Sequence, residues 1–406
     1  MKMRSGWWLA IPLALGGCAG SGEAPKKAVK PTAESCFVDC YQEENLGRQY
    51  LDGSLPGELN HVTRVNSKQA RNFRMFGPQS QLVVDRSKRM ASRYGDLYYK
   101  LNRWIAAGGD PAALPGYGIS LAQMGGADRQ GNILFTGYFS PVLEVRRQKG
   151  GEFKYPLYAM PNCGGRCPSR AQIHQGALAN RGLELGYSKS LIDNFLMDVQ
   201  GSGFVHYGES DQLQYLGYAG KNGHGYVSIG RVLIDRGEVA KEKMSLKAIK
   251  EWADSKSEAE VKELVENNPS YVFFQRRPTN DVIGAAGIPL LGMAAVAADR
   301  RLLPMGTPIL AEVPLLDKEG NWTGRHELRL LIALDTGGAV KGGHLDLYHG
   351  MGEKAGLDAG HYKHFGRVWK LGLHSGPTAA PGSIDGCRLP PGSLFYVILT
   401  SKRRWS

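Results

Sequence analysis

Beyond its N-terminal segment the chain has no apolar run approaching the roughly 18 residues that a membrane helix needs, which argues against a polytopic helical membrane protein. It has no internal repeat of fixed period, which argues against a solenoid or an array. Acidic residues are in deficit: 38 Asp and Glu face 50 Lys and Arg, for a formal net charge of +12. Only six cysteines occur in 406 residues, so this is not a small disulfide-built scaffold. Charged residues make up 22% and apolar ones 42%, an ordinary globular balance that excludes a disordered regulator. The length suits two or three domains with sizeable cores. Glycine is plentiful: its 54 positions exceed the usual share of about 7% and imply many turns and short strands.

The first residues predict export. Lys2 and Arg4 precede the short apolar run Trp7 to Leu15, the layout of a signal peptide over 1–17. Leu15-Gly16-Gly17-Cys18 resembles a bacterial lipoprotein box, which makes Cys18 the expected lipidation site. Plain secretion with a free Cys18 is the alternative. Ala19 follows the cysteine where an inner-membrane retention signal has Asp, which favours the periplasmic face of an outer membrane. Residues 18–45 read as lipidated cysteine and flexible tether. Cys36, Cys40, Cys163, Cys167 and Cys387 remain, and an odd number leaves at least one unpaired within the chain. Export favours disulfides over zinc, but spacing alone does not give their pairing.

Periodicity then divides the body. Leu97, Leu101, Trp104 and Ile105 predict a helix over 85–107, stopped by Gly108-Gly109. Residues 132–145 read as a strand interrupted at Gly137 and Pro141. Leu191, Ile192, Phe195, Leu196 and Val199 form a helical stripe that ends before Gly201. Ser245 caps an expected helix, and Ser257 with Glu260 makes a capping box for another. Pro289–Val296, Thr307–Val313 and Leu328–Leu334 look like strands, with a hairpin loop at 317–320. A Gly/Pro-rich stretch follows Leu373, and residues 394–406 form one last candidate strand. Strand-rich, mixed and again strand-rich segments are economically explained by a β-barrel split in sequence by an insertion.

The densest chemistry lies in Asp335-Thr336-Gly337-Gly338 and the following run to Tyr348, which contains His344 and Asp346. Asp299 follows another apolar segment. Three aspartates at strand ends can converge at one barrel face, and packed carboxylates raise one another's pKa. Turn capping is the plain alternative, since Asp is common there. Asp335-Thr336-Gly337 also suggests an aspartic protease, but that chemistry needs two such aspartates and this is the only Asp-Thr-Gly. The glycines at 350–356 match neither nucleotide-binding fingerprint. His344, His349, His361 and His364 crowd one region without a specific metal-ligand spacing, so neither metal nor cofactor is expected.

Five collinear segments carry a resemblance: FTGYFSPVLEVR (135–146), DVQGSGF (198–204), YAGKNGHGYVSIGRVLIDRGE (218–238), ALDTGGAVKGGHLDLYHGMGEKAG (333–356) and HFGRVW (364–369). Together they closely resemble the membrane-bound lytic murein transglycosylase A family, and the segment with Asp299, Asp335 and Asp346 also resembles a wider class named for three aspartates. The match spans most of residues 95–370 and weakens outside them, so Cys387 and the tail depart from the family.

The resemblance implies a mainly β fold: a double-psi β-barrel split in sequence by an inserted smaller β-rich domain with some helices. The expected division is barrel at 46–140, inserted substrate-groove domain at 141–280, barrel again at 281–372, and an extension of uncertain role at 373–406. The implied reaction cleaves the β-1,4 bond between N-acetylmuramic acid and N-acetylglucosamine without water, leaving a 1,6-anhydro ring. By the family match Asp346 is the single acid and base, with Asp335 and Asp299 supporting it. Thr136 and Tyr138 are expected at the substrate, and Gln200, Ser202, Lys221 and Asn222 on the inserted domain's side of the groove. The implied partners are glycan strands of peptidoglycan, the outer membrane through the lipid anchor, and a cell-wall synthesis complex.

Two other readings compete. A lipoprotein that grips glycan without cutting it would also suit a basic chain facing an acidic polymer. A hydrolase of the same bond would use water in place of the sugar's own hydroxyl. Nucleic acid attracts basic chains too, but export and the lack of a binding motif argue against it.

Overall fold

The computed structural model describes residues 46–374, apart from 52 and 209–211. The signal segment, Cys18, Cys36, Cys40, Cys387 and the strand expected at 394–406 lie outside the described residues. The chain begins with β1 (Leu59–Val62), β2 (Ala70–Arg71), α1 (Phe76–Arg86), α2 (Lys88–Ala106), β3 (Ile119–Met124) and β4 (Ile133–Ser140). The helix expected over 85–107 starts later than its pattern suggests. Ser87 leaves helical geometry at φ −139° and its hydroxyl accepts the Met90 amide, so it ends α1 and caps α2. The predicted stripe faces the core, with Leu97, Leu101 and Trp104 all buried.

Pro141 breaks the next run, and Gly137 lies within β4 rather than interrupting it. The middle contains β5 (Val142–Arg146), β6 (Tyr155–Tyr158), α3 (Arg170–His174), β7 (Glu184–Ser188), α4 (Leu191–Gln200), β8 (Gly203–His206), β9 (Gln214–Lys221), α5 (Ile229–Asp235), α6 (Leu246–Asp254), α7 (Glu258–Glu266) and β10 (Val272–Arg276). Its strands form one sheet in the order β10-β9-β8-β5-β7-β6. Leu143, Val145, Leu157, Met197, Val205 and Phe274 make its core. Ser190, Ser245 and Ser257 cap α4, α6 and α7 as side-chain acceptors. Of the α4 stripe Ile192, Phe195 and Leu196 are buried and Leu191 is half-buried, while Val199 is 43% exposed and lines an open apolar cavity with Phe139, Leu246 and Ile249. Arg170 holds this region together: it pairs with buried Asp198 and donates from Nε to the Asn268 carbonyl at 2.9 Å. Cys163 and Cys167 form a disulfide with their Cα atoms 5.2 Å apart.

The last part comprises β11 (Ala295–Ala297), β12 (Pro308–Leu316), β13 (Trp322–Asp335), β14 (His344–Met351), α8 (Glu353–Gly360), β15 (Lys363–Gly366) and β16 (Val368–Leu373). The strand expected over Pro289–Val296 shrinks to β11. Gln79 explains this: its amide donates to the Pro289 carbonyl at 2.9 Å and accepts the Leu291 amide at 2.8 Å. Those backbone groups are satisfied without a ladder.

Six strands in the order β12-β13-β11-β14-β4-β15 wrap into a nearly closed double-psi β-barrel, mainly β as the sequence predicts. Parallel pairs β11–β13 and β14–β4 join strands far apart in sequence. Phe135, Val296, Leu331, Ala333, Leu345 and Leu347 fill the interior. The run β15–β16 closes the ring, with β15 on β4 and β16 on β12. Arg367 sits at the crossing, where its carbonyl accepts the Glu312 amide at 2.9 Å and its guanidinium holds both Glu312 carboxylate oxygens at 2.7 Å. Among the described residues no helix is long and apolar enough to cross a membrane.

Candidate active site

The barrel aligns its polar residues on one rung of the sheet. Lys363 on β15 pairs with Thr136 on β4, Thr136 with Asp346 on β14, Asp346 with Ala297 on β11, and Ala297 with Asp335 on β13. Strand alternation sends Leu345 and Leu347 into the core and leaves Asp346 on the other face with its neighbour at spacing two, His344. Small Ala297 separates the two aspartate positions.

Thr136 Oγ1 lies 2.7 Å from Asp346 Oδ1 and donates to it when the carboxyl is ionised. Burial pushes the Asp346 carboxyl up to about 6; the Thr136 hydrogen bond opposes that rise and the Asp335 charge adds to it. Asp335 is also raised by burial, while its Oδ1 accepts the Ala285 and Thr336 amides at 2.9 Å each. Tyr138 reaches from β4 and donates to Asp335 Oδ2 at 3.0 Å. Burial and then the Asp335 charge hold the Tyr138 hydroxyl well above its ordinary range, so it stays a donor. The pair thus comprises one carboxyl poised near neutrality and a neighbour braced by three hydrogen bonds.

Asp299 stands apart electrostatically. Hydrogen bonds from Arg301 hold it below the ordinary carboxylate range despite burial, and its Oδ2 accepts the Gly342 amide at 3.0 Å. It remains ionised and ties down the glycine-rich turn before β14.

The other candidates occupy the middle region. Gln200, at the end of α4, accepts the Phe139 amide on Oε1 at 3.0 Å and so joins that helix to β4. Gly201 follows at φ 82°, a turn that only glycine takes cheaply, and half-buried Ser202 leads into β8. Lys221 is exposed at the end of β9, paired in register with Val272. Asn222 is buried and fully engaged. It donates to the Pro168 and Pro269 carbonyls at 3.0 and 2.8 Å and accepts the Tyr271 and His224 amides at 2.9 and 3.3 Å. Its side chain therefore builds the turn after β9, and it is not drawn into the aspartate rung.

One residue of the site carried no role in the sequence reading. His344 Nε2 lies 2.7 Å from Thr136 Oγ1. The available signal was its spacing of two from Asp346 on a strand, which puts both on one face. Among the described residues no group of three or more His, Cys, Asp or Glu side chains is arranged to hold a metal ion.

A β-barrel that aligns Asp346 with the Asp335 of an Asp-Thr-Gly turn, and anchors the glycine-rich turn between them on Asp299, defines a three-aspartate barrel, and its inserted sheet narrows the class further. Residues 294–372 match the 3D domain, and residues 134–163 and 165–275 match the MltA specific insert domain. The chain is 60% identical over 360 residues to membrane-bound lytic murein transglycosylase A of Vibrio cholerae, covering 88% of this chain and 98% of that one. It is 49% identical over 338 residues to the Escherichia coli K12 protein of the same name, covering 83% and 91%. The crystal structure of E. coli MltA with bound chitohexaose superposes with a TM-score of 0.78 at 48% identity, covering 81% of this chain and 98% of that one. The chain belongs to the membrane-bound lytic murein transglycosylase A family.

Proposed function

We propose that this protein is a lytic transglycosylase that cleaves the β-1,4 bond between N-acetylmuramic acid and N-acetylglucosamine in peptidoglycan. The observation that carries the reading is Asp346, a carboxyl pushed up to about 6 in a chain of this family. An acid with that pKa holds a usable fraction of its proton near neutrality. Asp346 protonates the glycosidic oxygen as the C1–O bond breaks. The muramic acid's own C6 hydroxyl then attacks C1 and gives its proton to the Asp346 carboxylate. The products are a 1,6-anhydro ring and a free hydroxyl on the leaving sugar, and the acid returns to its starting state.

Ordinary glycosidases need a second carboxyl as base or nucleophile. Here the nucleophile is part of the substrate, and well-oriented intramolecular attack reaches effective molarities of about 10⁵–10⁸ M. Asp335, braced by Tyr138, supports a raised pKa at Asp346 through its charge. Thr136 positions the Asp346 carboxyl. The chitohexaose bound to the E. coli relative supports an extended glycan strand as ligand. The lipoprotein-like box at Cys18 supports anchoring at the periplasmic face of the outer membrane, within reach of the cell wall.

The test is digestion of purified peptidoglycan with mass spectrometry of the released muropeptides. Anhydro ends are expected. Reducing ends carrying oxygen from labelled water would establish a hydrolase instead, and tight sacculus binding with no product would establish a binding protein.

A further inference from the structure

The Thr136 hydroxyl has two partners and one hydrogen. Its oxygen lies 2.7 Å from Asp346 Oδ1 and 2.7 Å from His344 Nε2. A hydroxyl donates once and accepts through its lone pairs, so it can donate to only one of these groups at a time. The other ring nitrogen, His344 Nδ1, lies 3.4 Å from the Ala339 carbonyl oxygen in the glycine-rich turn. A carbonyl only accepts, so it favours the tautomer with hydrogen on Nδ1. Burial lowers the imidazole's affinity for a second proton, against the opposing pull of that carbonyl. A neutral ring with hydrogen on Nδ1 leaves Nε2 as an acceptor facing Thr136.

We propose that His344 is a positioning residue for the acid: its Nε2 accepts the Thr136 hydrogen bond while Asp346 is protonated and gives it up when Asp346 ionises. The proposal rests on the reading of Asp346 as the proton donor. In the resting state the hydrogen bonds run one way, from the Asp346 carboxyl to Thr136, from Thr136 to His344 Nε2, and from His344 Nδ1 to Ala339. Every donor and acceptor in that chain is then matched. When glycan is seated, the Asp346 O–H turns from Thr136 to the glycosidic oxygen and passes its proton there, and the Thr136 hydroxyl rotates to donate to the new carboxylate. The Thr136 hydrogen bond to His344 is exchanged for one to Asp346, no covalent bond at either residue breaks, and no further proton is consumed. The brace on the anion appears only as charge develops, the kind of differential interaction that accelerates a chemical step. A hydroxyl aimed permanently at Asp346 would stabilise the carboxylate in the ground state and drain the acid.

Other groups also bear on Asp346. Asp335 acts from β13 through its charge, Tyr138 holds Asp335 from β4, and Lys363 occupies the rung position beside Thr136 on β15. All of these are retained in His344 variants, so a shift between variants reports on His344.

The experiment measures turnover of soluble glycan strands against pH for wild type, H344F, H344Q, T136V and T136V/H344F. Carbon-13 NMR of the carboxyl groups follows Asp346 ionisation in the same proteins. In H344F the Thr136 hydrogen turns to Asp346 for good. The Asp346 proton affinity is then expected to fall about tenfold, about the strength of one charge-assisted hydrogen bond. The alkaline limb of the profile moves down with it, while turnover on the acid side changes less. H344Q keeps a side-chain acceptor and is expected to retain the wild-type limb. H344F added to T136V is expected to move nothing further.

An H344F limb that stays in place, or one that moves equally in the T136V background, overturns the proposal. The H344Q comparison separates the role from a folding defect. The NMR titration separates failure of this idea from failure of the enzymatic reading, because it reports the Asp346 pKa even in a protein that only binds glycan.

Discussion

The Asp299 carboxylate accepts a hydrogen bond from the Gly342 amide at 3.0 Å, joining the segment after β11 to the glycine-rich turn before Asp346. Arg301 holds the same carboxylate but is itself 77% exposed, so the ion pair adds little by its charge. The backbone contact matters more, because it fixes where β14 starts. Asp299→Ala is expected to lower kcat by about 10- to 100-fold through misplacement of Asp346. The alkaline limb of the pH profile should stay where it is, since the charge acting on Asp346 is that of Asp335. A limb that moves with this substitution would instead make Asp299 an electrostatic partner of the acid.

Asp346 links activity to stability. Its folded pKa of about 6 lies above the ordinary 3.8, so the folded state binds this proton more tightly than the unfolded chain. Stability from this group is therefore full below pH 4 and lost as pH rises through 6. Asp346→Asn removes the penalty of a buried carboxylate. It is expected to raise stability by up to about 3 kcal/mol at pH 8 and to change little at pH 3.5. Activity should fall by about 10²- to 10⁴-fold. Urea unfolding of both proteins at the two pH values checks the first statement, and muropeptide release checks the second. Equal gains at both pH values would mean that packing, not ionisation, sets the difference.

What could be read from the sequence and what could not have different physical origins. The α2 stripe, the Ser257–Glu260 capping box and the Pro141 break depend on neighbours a few residues apart, so they were visible in the linear pattern. The Asp335 and Asp346 segment stood out as chemistry, and the register across β13, β11, β14 and β4 makes it a site. The rest depends on distant partners. Gln79 replaces a strand ladder at Pro289 and Leu291 from 210 and 212 positions away. Asn222 is occupied by the carbonyls of Pro168 and Pro269. Asp299 is drawn to Gly342, 43 residues on. No spacing rule reports such contacts.

Gly137 lies between Thr136 and Tyr138 on β4, with its bare Cα against α8. A Cβ there would stand 2.7 Å from the Ala359 Cα and 2.8 Å from His349 Nε2. Backbone on that side cannot yield as a flexible side chain would. Gly137→Ala is expected to cost about 1–3 kcal/mol in stability, the usual range for overpacking. It should also lower kcat more than it raises KM, because the strand that presents Thr136 to Asp346 shifts. Thermal unfolding with steady-state kinetics tests this. Wild-type kcat with a reduced Tm would show that α8 yields and the rung stays intact.

The barrel seam makes the sharpest stability prediction. Glu312 and Arg367 form a bidentate pair with side chains 0% and 6% exposed, where β15–β16 crosses back to β12. The paired charges balance one another's desolvation, so removing one leaves the other buried without its ionic partner. Glu312→Ala or Arg367→Ala is expected to destabilise the fold by about 3–5 kcal/mol. The neighbouring Gly366 permits the approach, because a side chain there would run into the Glu312 carbonyl. Gly366→Ala should therefore weaken closure with both charges still present. Hydrogen exchange reads the location: lost protection should concentrate in β12, β15 and β16, and the sheet containing β5–β10 should keep its own. Uniform loss across both sheets would show that the seam is not a local latch and that barrel and inserted sheet unfold as one unit.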